Sequence, residues 1–378
     1  MPEPVYFDCN ATTPVDPRVV EEVSRYFLEE YGNAGSRSHE FGLRARKAVQ
    51  LARRSVGDVV DASAEEVIFT SGATESNNLA ILGLARHGES TGRRHIISTR
   101  IEHKAVLEPL EHLQSRGFEI SYAPVGASGA VDPDDIVKLL RPDTLAVSVM
   151  HANNETGVVQ PIAEVADALG DHPAFLHVDA AQGFGKDLTP LRCNRTDLLS
   201  VSGHKLFAPK GVGALIARRR GFARPPLSPL MFGGGQEFGL RPGTVPVALV
   251  AGLALAAELA VREHLDRRRH CIAMRSAVLS VFRDLGGELN GDPTLMLPHV
   301  LNVSVPGVDS EALLVALKPF LAFSNGSACT SASYKPSHVL VGMGLAEDRV
   351  RSAVRLSWYH ATPTPDWHGV QAAVRGLM

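Results

Sequence analysis

Short β-branched runs alternate with longer amphipathic stretches through this chain, a pattern that restricts it to α/β architectures with a largely parallel sheet. Strands are expected at Val67–Phe69, His95–Ser98, Leu145–Met150, Phe175–Val178, Leu198–Val201 and Val212–Ala217. Helical patterns lie between them, as at Glu75–Arg86, His103–Arg116 and Ile162–Leu169. From Gly221 to Pro246 the density of Gly and Pro predicts a long loop. The more weakly patterned C-terminal third suggests a second, smaller domain.

Polar clusters follow five of the expected strands. They are Thr70–Glu75, the region of His103, His151–Glu155, Asp179–Gln182 and Ser202–Lys205. Ligands of open α/β sheets bind outside the carboxyl ends of the strands, so clusters in this register predict one pocket.

Each cluster offers a chemistry and a plainer reading. Lys205, just past a buried strand, suits Schiff-base chemistry if desolvated, although a lone lysine more commonly snorkels to the surface. Ser202 and His204 beside it supply donors suited to a phosphate group. Asp179 ends a strand where a carboxylate is costly without a cationic partner. It reads equally as the partner of a protonated pyridine nitrogen or as a helix cap. The turn Thr70–Glu75 opens a helix, either as an anion site or simply as a cap. His103 could stack on a cofactor ring or be a satisfied structural histidine. Cys329, within Ser324–Ser333, has no large apolar neighbour and reads as a thiol presented on a flexible loop.

Composition removes other classes. A net charge of -3 gives no broad footprint for nucleic acid. The triplets Arg218-Arg219-Arg220 and Arg267-Arg268-Arg269 read as solvated faces. No Walker pattern or strand-linked GxGxxG supports a nucleotide ligand. Cys9, Cys193, Cys271 and Cys329 lie far apart, with no CxxC pair, so neither structural metal nor a disulfide framework is expected. The N-terminus has no signal-peptide character, and the apolar run Val247–Ala257 is too short to span a bilayer; a cytoplasmic protein is expected.

Taken in order, these motifs resemble the cysteine desulfurases of the aminotransferase-like (fold type I) pyridoxal-phosphate (PLP) enzymes. The match includes Asp8-Cys9-Asn10-Ala11-Thr12-Thr13-Pro14, Thr70–Asn78, Glu102-His103-Lys104, His151–Gly157, His177–Gln182, Ser202–Lys205, Arg241-Pro242-Gly243-Thr244 and Gly326–Ala332. The resemblance implies a large PLP-binding domain over 14–255, with a mostly parallel sheet flanked by helices. A smaller α+β domain would comprise 1–13 and 256–378 and carry a mobile cysteine loop near 322–336. The serine-rich loop is similar to that of the longer-loop subgroup.

Carried over residue by residue, the resemblance makes Lys205 the lysine that holds PLP and shuttles protons. Asp179 pairs with the pyridine nitrogen, Gln182 contacts the ring hydroxyl and His103 stacks over the ring. The Ala73 backbone, Thr74, Ser202 and His204 bind the phosphate, joined by Thr244 from the second subunit of a homodimer. Asn154 and Arg355 orient the substrate carboxylate, a task that suits the planar guanidinium. Cys329 takes sulfur from L-cysteine as a persulfide and alanine is released. The sulfur then passes to an acceptor protein in iron–sulfur cluster assembly, tRNA thiolation or DNA phosphorothioation. Pro242 and the run Trp358-Tyr359-His360 depart from the family pattern, which more often has serine and Gly-Arg-Phe there. Selenocysteine lyase or another fold-type-I activity is the alternative enzyme reading. A non-catalytic sulfur relay is disfavoured by the intact set of Lys205, Asp179 and His103.

Overall fold

The computed structural model describes residues 3–325 and 336–378. The strands in chain order are β1 (Val5–Tyr6), β2 (Val67–Thr70), β3 (His95–Thr99), β4 (Glu119–Ala123), β5 (Thr144–Ser148), β6 (Phe175–Asp179), β7 (Leu198–Ser202), β8 (Gly213–Ala217), β9 (Glu288–Leu289), β10 (Val300–Ser304), β11 (Leu321–Ala322) and β12 (Ala353–Ser357). Seven of them form the main sheet in the order β2-β8-β7-β6-β5-β3-β4. Only β8 runs against its neighbours there; the other ladders are parallel. The expected mostly parallel α/β sheet is what forms, and the six expected strands are all members of it.

Successive residues of these strands feed two apolar layers. Val67 and Phe69 of β2, and Leu199 and Val201 of β7, join a core that includes the helix Val247–Arg262. Ile68 and Leu198 face a second layer with Leu79, Leu110 and Leu113 from the helices Ala73–Gly83 and Lys104–Ser115. A sheet covered on both faces explains why its strands read as continuous apolar runs rather than alternating ones. The expected boundary at 255 falls inside the helix Val247–Arg262, whose residues as far as Ala260 pack in the first of these cores.

A separate core forms around the antiparallel sheet β12-β10-β9. Phe7 joins it from the N-terminus, packing against Trp358 at 5.8 Å between ring centroids. β1 pairs in parallel with β11, which ties the N-terminal segment to the residues just before position 326.

Two readings need correction. Neither arginine triplet is simply a solvated face, because each contains an arginine that turns inward. Arg218, 5% exposed, donates from Nη2 to the carbonyls of Val60 and Leu191. Arg267 pairs with Glu263 at 2.9 Å and Asp16 at 3.5 Å, and its guanidinium lies 5.0 Å from the Phe207 ring centroid. The Gly/Pro-rich stretch from Gly221 to Pro246 is a loop as expected, interrupted by one short turn at Glu237–Gly239. Glu237 and Phe238 take positive φ there, at 50° and 59°. Glu237 is held by the buried Arg53 guanidinium and by the Phe69 N–H at 2.7 Å, contacts that offset this strained backbone.

His177 on β6 gives the fold a pH dependence. It is enclosed between the Ser148 hydroxyl at 2.8 Å and the Ser200 hydroxyl at 3.1 Å. Burial pushes its pKa down from 6.5 to about 4. The unfolded chain therefore takes up this proton first, and stability present above pH 6.5 is lost as pH falls towards 4, by about 3 kcal/mol from this group. Urea midpoints between pH 6.5 and 4.5 should fall less steeply in His177→Asn than in wild type. Equal slopes would show that His177 is not the titrating group.

Candidate active site

The carboxyl ends of the parallel strands open into one cavity of about 520 Å³. Beside it, the turn after β2 passes close to β8 at two glycines. A Cβ on Gly213 would lie 2.6 Å from the Gly72 Cα, so the approach requires glycine at 213, while Gly72 is required by its φ of 153°. The turn then leads into the helix Ala73–Gly83, whose N-terminus and first-turn backbone N–H groups favour an anion. Glu75 accepts from the Ser71 N–H at 2.7 Å and from Arg241 Nε at 3.0 Å. That pair fastens the long loop to the turn. Ala73, Thr74, Ser202 and His204 all line the cavity here.

His204 is pushed down to about 4 by burial, with Lys205 and Lys210 adding to the effect, so it is neutral at physiological pH. Its Nδ1 lies 3.1 Å from the Thr12 hydroxyl. Lys205 follows on the same short 3-10 turn after β7. Its ammonium donates to the carbonyl oxygens of Asn10 and Ala11, the latter at 2.6 Å, and so reaches into the cavity rather than towards bulk water.

Asp179 ends β6 and is 5% exposed. One oxygen accepts from Asn77 Nδ2 at 2.8 Å, the other from the Ala181 N–H at 2.9 Å. The helix-cap reading fails, because turns rather than a helix follow Asp179; the Ala181 contact is a local turn bond, and Asn77 orients the carboxylate. Among the described residues Asp179 has no ion-pair partner, although buried carboxylates ordinarily require one. Gln182 donates from Nε2 to the Asn10 carbonyl at 3.0 Å, while its buried Oε1 has no partner. His103 accepts at Nδ1 from the Ala105 N–H at 3.0 Å, capping the helix Lys104–Ser115. Burial lowers its pKa, partly countered by Asp179, which keeps the ring neutral. PLP fits this set. A pyridinium would complete Asp179, and a phosphate would meet the Ala73 turn.

The opposite wall comes from the second core. Arg355 on β12 is 3% exposed; its Nη2 donates to Asp8 at 2.6 Å and its Nη1 to the Asn154 carbonyl at 3.1 Å. Among the described residues its buried Nε has no partner, leaving donor capacity for a carboxylate. Both Arg355 and Asn154 line the cavity. Thr244 is exposed and does not line the cavity of its own chain. Cys329 lies outside the described residues.

Sequence reasoning gave no role to Asn10 and Asn77. Asn77 orients Asp179, and its one signal was an amide within an otherwise small and apolar helix face. Asn10 supplies the carbonyl shared by Lys205 and Gln182, and its Nδ2 donates to the Asn154 carbonyl at 3.0 Å. A main-chain carbonyl recruited from far away in the chain leaves no trace in residue type.

Comparison with known proteins agrees with this geometry. The family model for class-V aminotransferases matches residues 5–367. The chain is 45% identical over 354 residues to a mouse (Mus musculus) cysteine desulfurase, covering 93% of this chain and 76% of that one. It is 44% identical to the cysteine desulfurase IscS of Rickettsia peacockii (strain Rustic), covering 93% and 85%. Among solved structures it resembles DndA from Streptomyces lividans, at 50% identity and a TM-score of 0.82, covering 94% of this chain and 98% of that one. With identity of this extent over nearly the whole length, the chain belongs to the class-V aminotransferase family, among its PLP-dependent cysteine desulfurases.

Proposed function

We propose that this enzyme releases L-alanine from L-cysteine with Lys205 as the PLP-bearing lysine and Cys329 as the residue that receives the sulfur. The observation that carries this reading is the meeting of Lys205, Asp179 and His103 with the Arg355 guanidinium in one cavity of about 520 Å³. When bound, PLP supplies an electron sink for negative charge developing at the substrate Cα.

The chain's own residues do the rest. Ala73, Thr74, Ser202 and His204 hold the phosphate. Asp179, steadied by Asn77, pairs with the pyridine nitrogen, Gln182 meets the ring hydroxyl and His103 stacks as a neutral ring. Arg355 and Asn154 orient the substrate carboxylate, using the spare Nε of Arg355. Lys205 Nζ takes the Cα proton and returns protons later. The Cys329 thiolate attacks the substrate sulfur; an S–S bond forms as the C–S bond breaks, and the released pair ends on the alanine carbon with a proton. The tether supports this assignment. Ser324 is held at the cavity wall by the Arg355 N–H at 2.8 Å, and Cys329 is five residues further on, within about 18 Å at full extension.

The assignment is tested by incubating PLP-loaded protein with L-cysteine and measuring alanine together with protein-bound persulfide. Protein that retains PLP yet forms no alanine would overturn it. The sulfur then passes to an acceptor protein, which labelled sulfur followed into co-purifying proteins would identify as belonging to iron–sulfur assembly, tRNA thiolation or DNA phosphorothioation. Among the described residues no helix is long and apolar enough to cross a membrane. The buried free thiols Cys9 and Cys271 suit a reducing cytoplasm.

A homodimer belongs to the same reading. Thr244 is exposed in its own chain, and the loop that carries it also presents Phe232, 89% exposed. The helix Pro17–Leu28 adds Phe27 and Leu28 at 62% and 76%, exposed surface of the kind a partner covers. Thr244→Ala should weaken PLP retention about tenfold, the scale of one lost hydrogen bond to a charged group, while leaving the dimer intact by sedimentation. Undiminished PLP affinity in that variant would remove Thr244 from the phosphate site.

A further inference from the structure

The segment Asp8–Thr13 contributes to two cavities. Asn10 and Ala11 face the catalytic one, whereas Cys9 and Thr13 line a second of about 50 Å³. Its polar lining includes Lys186, Arg267, Arg268, His264 and His299, and Cys271 adds a second thiol. The run Trp358-Tyr359-His360, which no catalytic role absorbs, forms another part of its wall.

We propose that this second cavity binds a small inorganic anion of halide or hydrosulfide size, held by Lys186 Nζ with Arg268 at the rim. Charge balance in the cavity favours an anion. No Asp or Glu lines the cavity. The nearby acids Glu263 and Asp16 pair with Arg267 at 2.9 Å and 3.5 Å, and Asp187 lies 3.2 Å from His151, so among the described residues Lys186 has no carboxylate within ion-pair distance. The hydrogen-bond partner of the Lys186 ammonium is His299 Nε2, at a long 3.3 Å. Burial drives His299 far below its ordinary pKa, so it is a neutral acceptor and no counter-charge.

The thiols supply no counter-charge either. Burial pushes Cys9 up to about 12 and Cys271 up to about 11, so both are protonated at neutral pH. Lys186 is pushed down to about 8, which still leaves it mostly charged there. A half-buried cation without a carboxylate is unfavourable, and an anion at Nζ lowers that cost. About 50 Å³ open to the centre of a water-sized sphere is ample for a small anion, since roughly 10–15 Å³ on that measure suffices for one water.

The test uses the PLP-loaded enzyme and sodium bromide. Bromide-soaked crystals should show an anomalous peak within hydrogen-bonding reach of Lys186 Nζ. Replacing gluconate by bromide at equal ionic strength, at about ten times its dissociation constant, should raise the wild-type unfolding temperature by about 2 °C. Lys186→Met should abolish that bromide-specific rise, and Arg268→Gln should reduce it. If Lys186→Met does not fold, the peak and Arg268→Gln decide. Competition of chloride against sulfide for the bromide signal then distinguishes the two natural sources. A cavity without bromide, or a Lys186→Met protein that keeps the full rise, would overturn the proposal.

Discussion

Replacing Lys205 by alanine is expected to remove the visible absorption of bound PLP and to lower alanine formation by four orders of magnitude or more. Two functions are lost together, covalent attachment of the cofactor and proton transfer at the substrate Cα, the second alone being worth about 10²–10⁴. The structure adds a separable cost. Lys205 Nζ donates to the carbonyls of Asn10 and Ala11, and the substitution leaves Ala11 O without that donor. Ala11 is half-buried at the cavity wall, so the abandoned acceptor costs at most about 1 kcal/mol. Lys205→Arg keeps a cation near these carbonyls, so it should recover much of the stability and none of the turnover. Spectra and turnover of the two variants, set beside their urea midpoints, separate chemistry from architecture. A Lys205→Ala protein that still holds a borohydride-reducible PLP adduct at full occupancy would place the attachment elsewhere.

How much of this was legible in the sequence depended on burial. β2, β3, β5, β6 and β7 are buried at every position, and each ends at a polar cluster. β4 escaped because it is the edge strand, with Glu119 exposed and Ile120 to Tyr122 only half-buried. β1, β9 and β11 are two residues long and carry no periodicity to detect. The arginine triplets misled because adjacency in sequence does not fix side-chain direction. Arg218 directly follows β8 and points inward, to the Val60 and Leu191 carbonyls, whereas Arg219 is exposed.

The same logic divides the site. Lys205, Asp179 and His103 were findable because strand ends announce them. Arg355 sits within a strand of the second sheet, and only the resemblance pointed to it. The antiparallel pairing of β12 with β10, together with the Asp8 carboxylate at 2.6 Å, turns it towards the large cavity.

Cofactor chemistry and sulfur capture occupy different parts of the chain, and Cys329→Ser should separate them. Lys205, Asp179, Gln182 and the phosphate turn are all untouched by that change, so PLP occupancy and the spectral response to added L-cysteine should match wild type. Alanine production should fall by at least about 10³, because a serine hydroxyl offers no comparable nucleophile at neutral pH. The other thiols are poor substitutes. Cys9 and Cys271 are buried, with thiols held near 12 and 11. Cys193, beside the short turn Pro190–Arg192, packs against the large core and does not line the catalytic cavity. Replacing any of these three should therefore change turnover far less. The measurement is alanine released per enzyme, with mass spectrometry of the alkylated persulfide. Wild-type desulfuration by Cys329→Ser, or labelled sulfur recovered on Cys9, Cys193 or Cys271, would mean that the sulfur is taken up by a different residue. The residues that anchor the segment frame this result. Ser324 Oγ donates to Asp8, which also pairs with Arg355, and Ser337 Oγ donates to the buried Glu155 at 2.5 Å. Substrate recognition at Arg355 and the entry to the cysteine-bearing segment therefore share one carboxylate, so sulfur transfer should be far more sensitive than PLP binding to substitutions between 324 and 337.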